Sequence, residues 1–291
     1  MDQKTLAAQK MAEMIETEIK RFVRESPLNR MPDDANQPIF DAALVRFADG
    51  NDPIFTEFKT IIGPNHLTPI EALVKTYNKQ PEDDGKLVSV ISWILPVAQK
   101  TRASNRAENT LPSKQWAFTK WYGEKFNTAL RKHLVEMFTI RGYLTTAPEI
   151  QPYFKVETNA QGRFSNWSER HIAYTSGHGT FSLSDGFITE KGIAHRCGSV
   201  VIDLKLPASP RTAKTPFSNC LYYVNKSCKA CIARCPAGAI SEAGHDKNKC
   251  YQYLNDALKQ TLPIYGVDTT ACGLCQTGVP CEFRNPTKKL K

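Results

Sequence analysis

The chain has 291 residues, 41% hydrophobic and 23% charged, the balance of a folded protein and not of a disordered one. No run of about eighteen apolar residues occurs, so no membrane-spanning helix is expected. The net charge of +9 is spread along the chain without a basic stripe interleaved with aromatics, so a solvated positive surface explains it better than a nucleic-acid interface.

The opening, "MDQKTLAAQKMAEMIETEIKRF", is charged throughout and lacks the apolar stretch of a secretory signal, which points to a cytoplasmic protein. Met11, Ile15, Ile19, Phe22 and Val23 fall on one face of a first helix. "ALVRFA" (43–48) and "KLVSVISWILPVA" (86–98) are apolar, β-branched runs bounded by turn residues, so both read as buried strands. Residues 99–114, "QKTRASNRAENTLPSK", read as a polar connection, a loop suited to flank a ligand pocket. After it Phe118, Tyr122, Phe126, Leu130 and Leu134 recur every fourth position, which makes a long amphipathic helix with a core-facing stripe. "GSVVIDL" (198–204) reads as the last strand of this unit. Three prolines then interrupt residues 205–216 and place a domain boundary there. The expectation is an α/β or α+β domain over 1–204 that binds cofactor and substrate, and a small domain over 205–291. A unit that small builds little core, so metal ligation must supply much of its folding energy.

Nine cysteines are present; the first is Cys197 and eight fall between Cys220 and Cys281. In a reducing compartment such crowding points to metal, not to disulfides. Cys220, Cys228, Cys231 and Cys235 form one group, and Cys250, Cys272, Cys275 and Cys281 a second. Eight thiolates match two 4Fe–4S clusters, and "CKACIARCP" follows the bacterial cluster run except at its opening position, which is Asn225. Cys220, eight positions before Cys228, is the candidate replacement. In two-cluster ferredoxins the cysteine before the proline serves the other cluster. That crossover puts Cys220, Cys228, Cys231 and Cys281 on one cluster, and Cys235, Cys250, Cys272 and Cys275 on the other. Paired Cys-x2-Cys segments also build zinc sites, so two zinc centres stay open as the alternative. Cys197 is left over, as a buried free thiol or a pocket residue.

Residues 168–203 carry glycines 177, 179, 186, 192 and 198, which allow sharp turns or a close backbone approach. They form neither a dinucleotide fingerprint nor a phosphate-binding loop. His171, Tyr174 and His178 crowd the same stretch, with His195 near its end. They are candidates for protonating a substrate or lining its pocket, and a purely structural role stays open beside that.

"SERHIAYTSGHGTF…ITEKG…GSVV", followed by the two cysteine groups and "CYQYL…CGLCQ", resembles epoxyqueuosine reductases and the related reductive dehalogenases. The resemblance implies a nitroreductase-like, cobalamin-binding domain followed by a ferredoxin-like domain with two 4Fe–4S clusters. It further implies that Gly177, Gly179, Thr180, Phe181 and Gly198 belong to the corrinoid pocket, beside Tyr174, His178 and His171. The expected activity is an iron–sulfur reductase acting on a small organic substrate, fed by a donor such as a ferredoxin or flavodoxin. An electron-transfer protein that reactivates a corrinoid partner is the other reading. This sequence has no acidic residue in "GRFSNWS" before Glu169, and no lysine after "GHGTF" at the position that matches the family's. It also ends without the helical-repeat tail those reductases use on tRNA. These departures argue against tRNA as the substrate.

Overall fold

The apolar run at 89–96 is buried at every position, and alternation along it sends side chains to two different cores. Burying one such Val, Ile, Leu or Trp removes enough apolar surface to contribute about 1.5–3 kcal/mol. This strand therefore organises the molecule around it. The structure, a computed structural model, describes residues 3–81, 87–160 and 162–290. Met1, Asp2 and Lys86, which open two of the expected segments, lie outside the described residues.

Helix α1 (Gln3–Glu25) turns Ile15, Ile19 and Val23 inward, as its spacing requires. The hairpin β1 (Arg30–Met31) and β2 (Asp34–Pro38) leads to β3 (Leu44–Asp49), then to α2 (Ile54–Ile61) and α3 (Pro69–Tyr77). A capping box starts α3: Thr68 accepts from the Glu71 amide, and the Glu71 carboxylate accepts from the Thr68 amide. Strand β4 (Ser89–Pro96) is followed by α4 (Gln99–Arg106) and α5 (Lys114–Thr139), the latter capped by Ser113. Next come β5 (Thr145–Thr146), the hairpin β6 (Val156–Asn159) and β7 (Gly162–Ser165), α6 (Glu169–Thr175), the hairpin β8 (Gly179–Phe181) and β9 (Phe187–Thr189), and β10 (His195–Ile202). The C-terminal part holds α7 (Leu221–Asn225), α8 (Ala230–Ala233), the hairpin β11 (Ile240–Ser241) and β12 (Gly244–His245), and α9 (Lys247–Tyr265).

The central sheet runs β3-β4-β10-β5 and each neighbouring pair is antiparallel. The mixed helix–strand expectation therefore resolves to α+β, without the parallel crossover of an α/β sheet among the described residues. Phe47, Ile91, Trp93, Leu95, Val200 and Ile202 face α1 and α5. Ala48, Val90 and Val201 face α2, α3 and Trp167. Among the described residues strand β5 pairs only with Val201 and Ile202, so the His195–Ser199 half of β10 is a sheet edge there. Side chains of α5 and α6 meet over that edge.

Residues 99–114 depart from the expected loop, because Gln99–Arg106 is helical. Its inward positions are polar: Thr101 and Asn105 are both fully buried. Hydrophobic periodicity cannot register a helix whose buried side chains are a hydroxyl and an amide. The C-terminal segment also shares its cores with the rest. Leu206, Val267 and Ala271 join the core of α1 and α5, while Leu183, Ile188 and Ile193 pack on Cys220, Tyr222, Ile240 and Val279. Among the described residues no helix is long and apolar enough to cross a membrane.

Candidate functional site

The eight C-terminal cysteines face two cavities. Cys220, Cys228, Cys231 and Cys281 line a small one together with Ile188, Ile193 and Val279. Cys235, Cys250, Cys272 and Cys275 line a larger cleft of about 280 Å³. Cys220 precedes α7, Cys228 and Cys231 bracket the start of α8, and Cys235 leaves its end for the other cavity. Cys281 arrives from far along the chain and is pinned there by backbone. Its carbonyl accepts from the Ile193 amide at 2.8 Å, and the next carbonyl, of Glu282, accepts from Ala194 at 3.2 Å. The Glu282 side chain is only 2% exposed; it pairs with Arg106 at 2.6 Å and accepts from the Gly278 amide at 2.8 Å. A buried carboxylate, paired with Arg106 of α4, thus fixes the turn before Cys281.

The second group is held from α4 and α5. Asn105 donates to the Cys272 carbonyl at 3.2 Å and to Thr277 Oγ1 at 3.0 Å. Arg234 donates to the carbonyls of Leu274 at 3.3 Å and Thr277 at 3.1 Å. Gly273 has φ +66°, and a Cβ there would stand 2.0 Å from the Trp116 ring. Cys250 lies in the first turn of α9, whose cap Asp246 accepts from the Lys249 amide at 2.9 Å.

Burial, reinforced by Cys220 and Cys228, pushes the Cys231 thiol up to about 11. Burial likewise takes Cys272 to about 11 and Cys275 well above the ordinary thiol range, with Cys250 adding to both. Cys281 is raised by burial and by Cys220, Cys231 and Cys228. Such thiols become thiolates only with cationic charge in their midst. One donor is already in place, since the Ala239 amide points at Cys235 Sγ from 3.3 Å. Among the described residues no three or more His, Cys, Asp or Glu gather so as to hold a single metal ion. Thiolates on one tetrahedral zinc would stand about 3.8 Å apart.

Within the Gly-rich stretch, His171, Tyr174 and His178 lie away from both cavities. His178 is buried, and its Nε2 donates to the Ser92 carbonyl at 3.1 Å; burial takes its pKa down to about 3, so the ring is neutral. His171 bonds Ser168 Oγ through Nδ1 at 2.8 Å, packs on Phe58 and Phe181, and is lowered to about 3 by burial. Tyr174 sits 6.0 Å from the Phe181 ring, with Arg211 over its own face. None of the three lines either cysteine cavity. A Cβ on Gly177 would stand 2.5 Å from the Pro210 carbonyl oxygen, on Gly179 2.1 Å from that of Ile188, and on Gly198 2.5 Å from Trp93. Thr180 Oγ1 accepts from the Asn219 amide at 2.9 Å. The close approach these residues permit is made by the chain itself. A corrinoid does not fit against them, and the cleft, at about 280 Å³, lies below the roughly 300–1,000 Å³ that far smaller drug-sized ligands occupy.

The wall facing the second cysteine group was not anticipated. Trp116, Thr119 and Lys120 of α5 line it together with Arg170, His195 and Arg196. Arg196, and then burial, lower the Lys120 amine to about 8. Arg196 pairs with Glu124 at 3.3 Å and donates to the Lys120 carbonyl at 3.2 Å. Behind them Arg131, 1% exposed, meets Glu124 at 3.0 Å, Glu169 at 3.2 Å and also Glu149. Burial, with Glu149 beside it, raises Glu169 to about 8 despite Arg131. One signal did exist in the sequence: Lys120, Glu124, Asn127 and Arg131 recur at helical spacing as a polar stripe along α5.

No family model matches the chain, and no curated protein matches it. Solved structures do. Epoxyqueuosine reductase in complex with an epoxyqueuosine-modified tRNA-Tyr stem loop aligns with 93% of this chain and 66% of its own, at 14% identity and a TM-score of 0.50. The Bacillus subtilis epoxyqueuosine reductase gives the same coverage and identity with a TM-score of 0.47. A catabolic reductive dehalogenase aligns with 84% of this chain and 30% of its own, at 15% identity and a TM-score of 0.48. The chain therefore spans 66% of the length of the epoxyqueuosine reductases it matches, and over that span it shares their fold.

Proposed function

We propose that this chain is an iron–sulfur oxidoreductase with two 4Fe–4S clusters in the C-terminal segment, 205–291, and an acceptor site against the α+β unit, 1–204. The observation that carries the reading is the sorting of eight thiols into two groups of four, each around its own cavity. Cys220, Cys228, Cys231 and Cys281 hold one cluster, and Cys235, Cys250, Cys272 and Cys275 hold the other. Such clusters supply one-electron transfer. Leu183, Ile188, Ile193 and Val279 keep water from the first group, which stabilises its charge-balanced form over free thiolates. Cys235 ties the two sites together, since it follows Cys231 on α8 yet faces the second cavity. The cleft wall of α5 and β10 holds the acceptor beside the second cluster. An acceptor built into the same chain favours a reductase with its own small substrate over a bare carrier, with a ferredoxin or flavodoxin as donor. Cobalamin is the intermediate carrier that the resemblance implies. The lining residues do not fit it.

The test is anaerobic purification with iron, sulfide and zinc analysis, followed by titration with cobalamin. About eight irons per chain are expected, with matching sulfide. Stoichiometric zinc in place of iron sinks the proposal, and tight corrinoid binding overturns the judgement on cofactor fit. Gly273→Ala gives a second check. Its φ of +66° and the 2.0 Å approach to Trp116 forbid a Cβ without moving the loop between Cys272 and Cys275. That variant should retain about half the iron, all of it on the first group. Full iron content would show that the loop is not a ligand loop.

A further inference from the structure

The cleft wall opposite Cys235, Cys250, Cys272 and Cys275 carries an unanswered set of donors. Thr119 is 4% exposed, and among the described residues its Oγ1 has no hydrogen-bond partner. A buried hydroxyl left unpaired costs about 1–3 kcal/mol, so such a group is kept for a ligand or an ordered water. Beside it, the Lys120 amine makes no ion pair or hydrogen bond among the described residues, while Arg196 spends one arm on Glu124 and the other on the Lys120 carbonyl. Arg170 lies exposed at the rim, donating to the Asp185 carbonyl. His195 adds no charge, because burial lowers it to about 4 and its Nε2 donates to the Phe187 carbonyl at 2.7 Å. With Glu124 set against Arg196, the inner wall has one cation in excess. The remaining lining mixes apolar side chains, Val97, Trp116, Ile240, Leu254 and Ala271, with Ser184, Tyr253, Thr270, Gln276 and His245, the last paired with Asp185 at 3.3 Å.

We propose that this cleft binds a small organic monocarboxylate, its anionic head on Lys120 and the Thr119 hydroxyl and its apolar body against Trp116 and Leu254. A cationic, hydroxyl-lined end joined to an apolar body is the complement of such a molecule. The volume of about 280 Å³, shared with the second cluster, limits it to roughly the size of a single aromatic acid. The inference names the substrate class for the reductase reading and rests on that reading for its redox meaning, though not for binding. The lowered Lys120 amine agrees with it, since Arg196 and Arg170 oppose its charge until an anion arrives, while Glu124 and Glu149 offset them only in part.

The probe is benzoate, with benzamide as its neutral isostere and inorganic phosphate as the rival anion. Binding is followed by calorimetry on the anaerobic protein, with iron measured on the same sample. Benzoate should bind and benzamide should not. Above pH 8 benzoate binding should take up protons, since the bound anion restores the Lys120 charge. Lys120→Met should weaken binding about tenfold or more and abolish the proton uptake. The near-isosteric Thr119→Val should weaken it roughly fivefold with the thermal midpoint unchanged or raised. Equal binding of benzamide, tighter binding of phosphate, or an unchanged affinity in Thr119→Val overturns the proposal. A protein with full iron that ignores benzoate sinks this inference alone. Benzoate binding to a protein that never holds iron sinks the reductase reading alone.

Discussion

Cys220→Ala should leave about half the iron of the parent protein, whereas Asn225→Ala should leave all of it. The spacing rule would have put a ligand at position 225, but Asn225 closes α7 and its Oδ1 accepts from the Ser227 amide at 3.1 Å. Cys220 is buried among the residues that also surround Cys281. Pairwise combination makes the test sharper than any single loss. Cys220 and Cys281 face the same cavity although 61 positions separate them, so Cys220→Ala with Cys281→Ala should cost no more iron than either alone. Cys220→Ala with Cys272→Ala touches both cavities and should remove nearly all of it. If the two cysteine groups instead bound metal in sequence order, Cys281→Ala would combine with Cys272→Ala without further loss. Iron per chain and the resonance spectrum of the reduced clusters separate the two schemes. A three-iron cluster in Cys220→Ala counts as loss at that site, whereas full cubane content in that variant means the ligand assignment is wrong.

The cysteine groups stood out in the sequence because ligation would fix residue type and spacing together. A thiolate ligand has no substitute of similar chemistry, and a turn holding two of them requires the Cys-x2-Cys interval. Helices α1 and α5 were legible from a single period of burial, and the strands β3, β4 and β10 as apolar runs bounded by turn residues. Helix α4 was hidden because Thr101 and Asn105 fill its buried positions and bond to polar partners, Asn105 to the loop of the second cysteine group. The Gly-rich stretch misled in a different way. Gly177, Gly179 and Gly198 do require close approach, but a sequence cannot say what approaches. Here it is Pro210, Ile188 and Trp93. His178 and His171 look like acid–base candidates until their burial is known, after which each is a neutral ring tied to a carbonyl or hydroxyl. The cleft wall was missed because Lys120, Glu124 and Arg131 read as the solvated face of an amphipathic helix. Only the free edge of β10 turns that face inward.

Arg131→Met should lower the folding free energy by about 3–5 kcal/mol, the usual cost of removing one partner from a buried charge network. At roughly 2–3 °C per kcal/mol, the thermal midpoint should fall by about 6–15 °C. The size follows from the arrangement: one guanidinium, 1% exposed, answers Glu124, Glu149 and Glu169, and Met keeps its length while removing its charge. The pH dependence carries the sharper prediction. Glu169 is raised in the folded state to about 8 by burial and by Glu149, so folding keeps a proton there that the unfolded chain releases near its ordinary carboxyl range. Its contribution is complete below that range and is lost as pH rises toward 8. Arg131 opposes this loss by favouring the ionised form. Without it the carboxyl must stay protonated to higher pH, and the penalty of ionising it grows. Glu124, which Arg196 and Arg131 hold low against burial, also loses part of its compensation. The deficit of Arg131→Met should therefore be larger at pH 8.5 than at pH 6, measured as the difference in thermal midpoint from the parent at each pH. A pH-independent deficit would mean that Arg131 acts through packing alone. Arg131→Lys separates the two further: it restores the charge without the forked geometry, so it should recover the pH profile better than the midpoint itself.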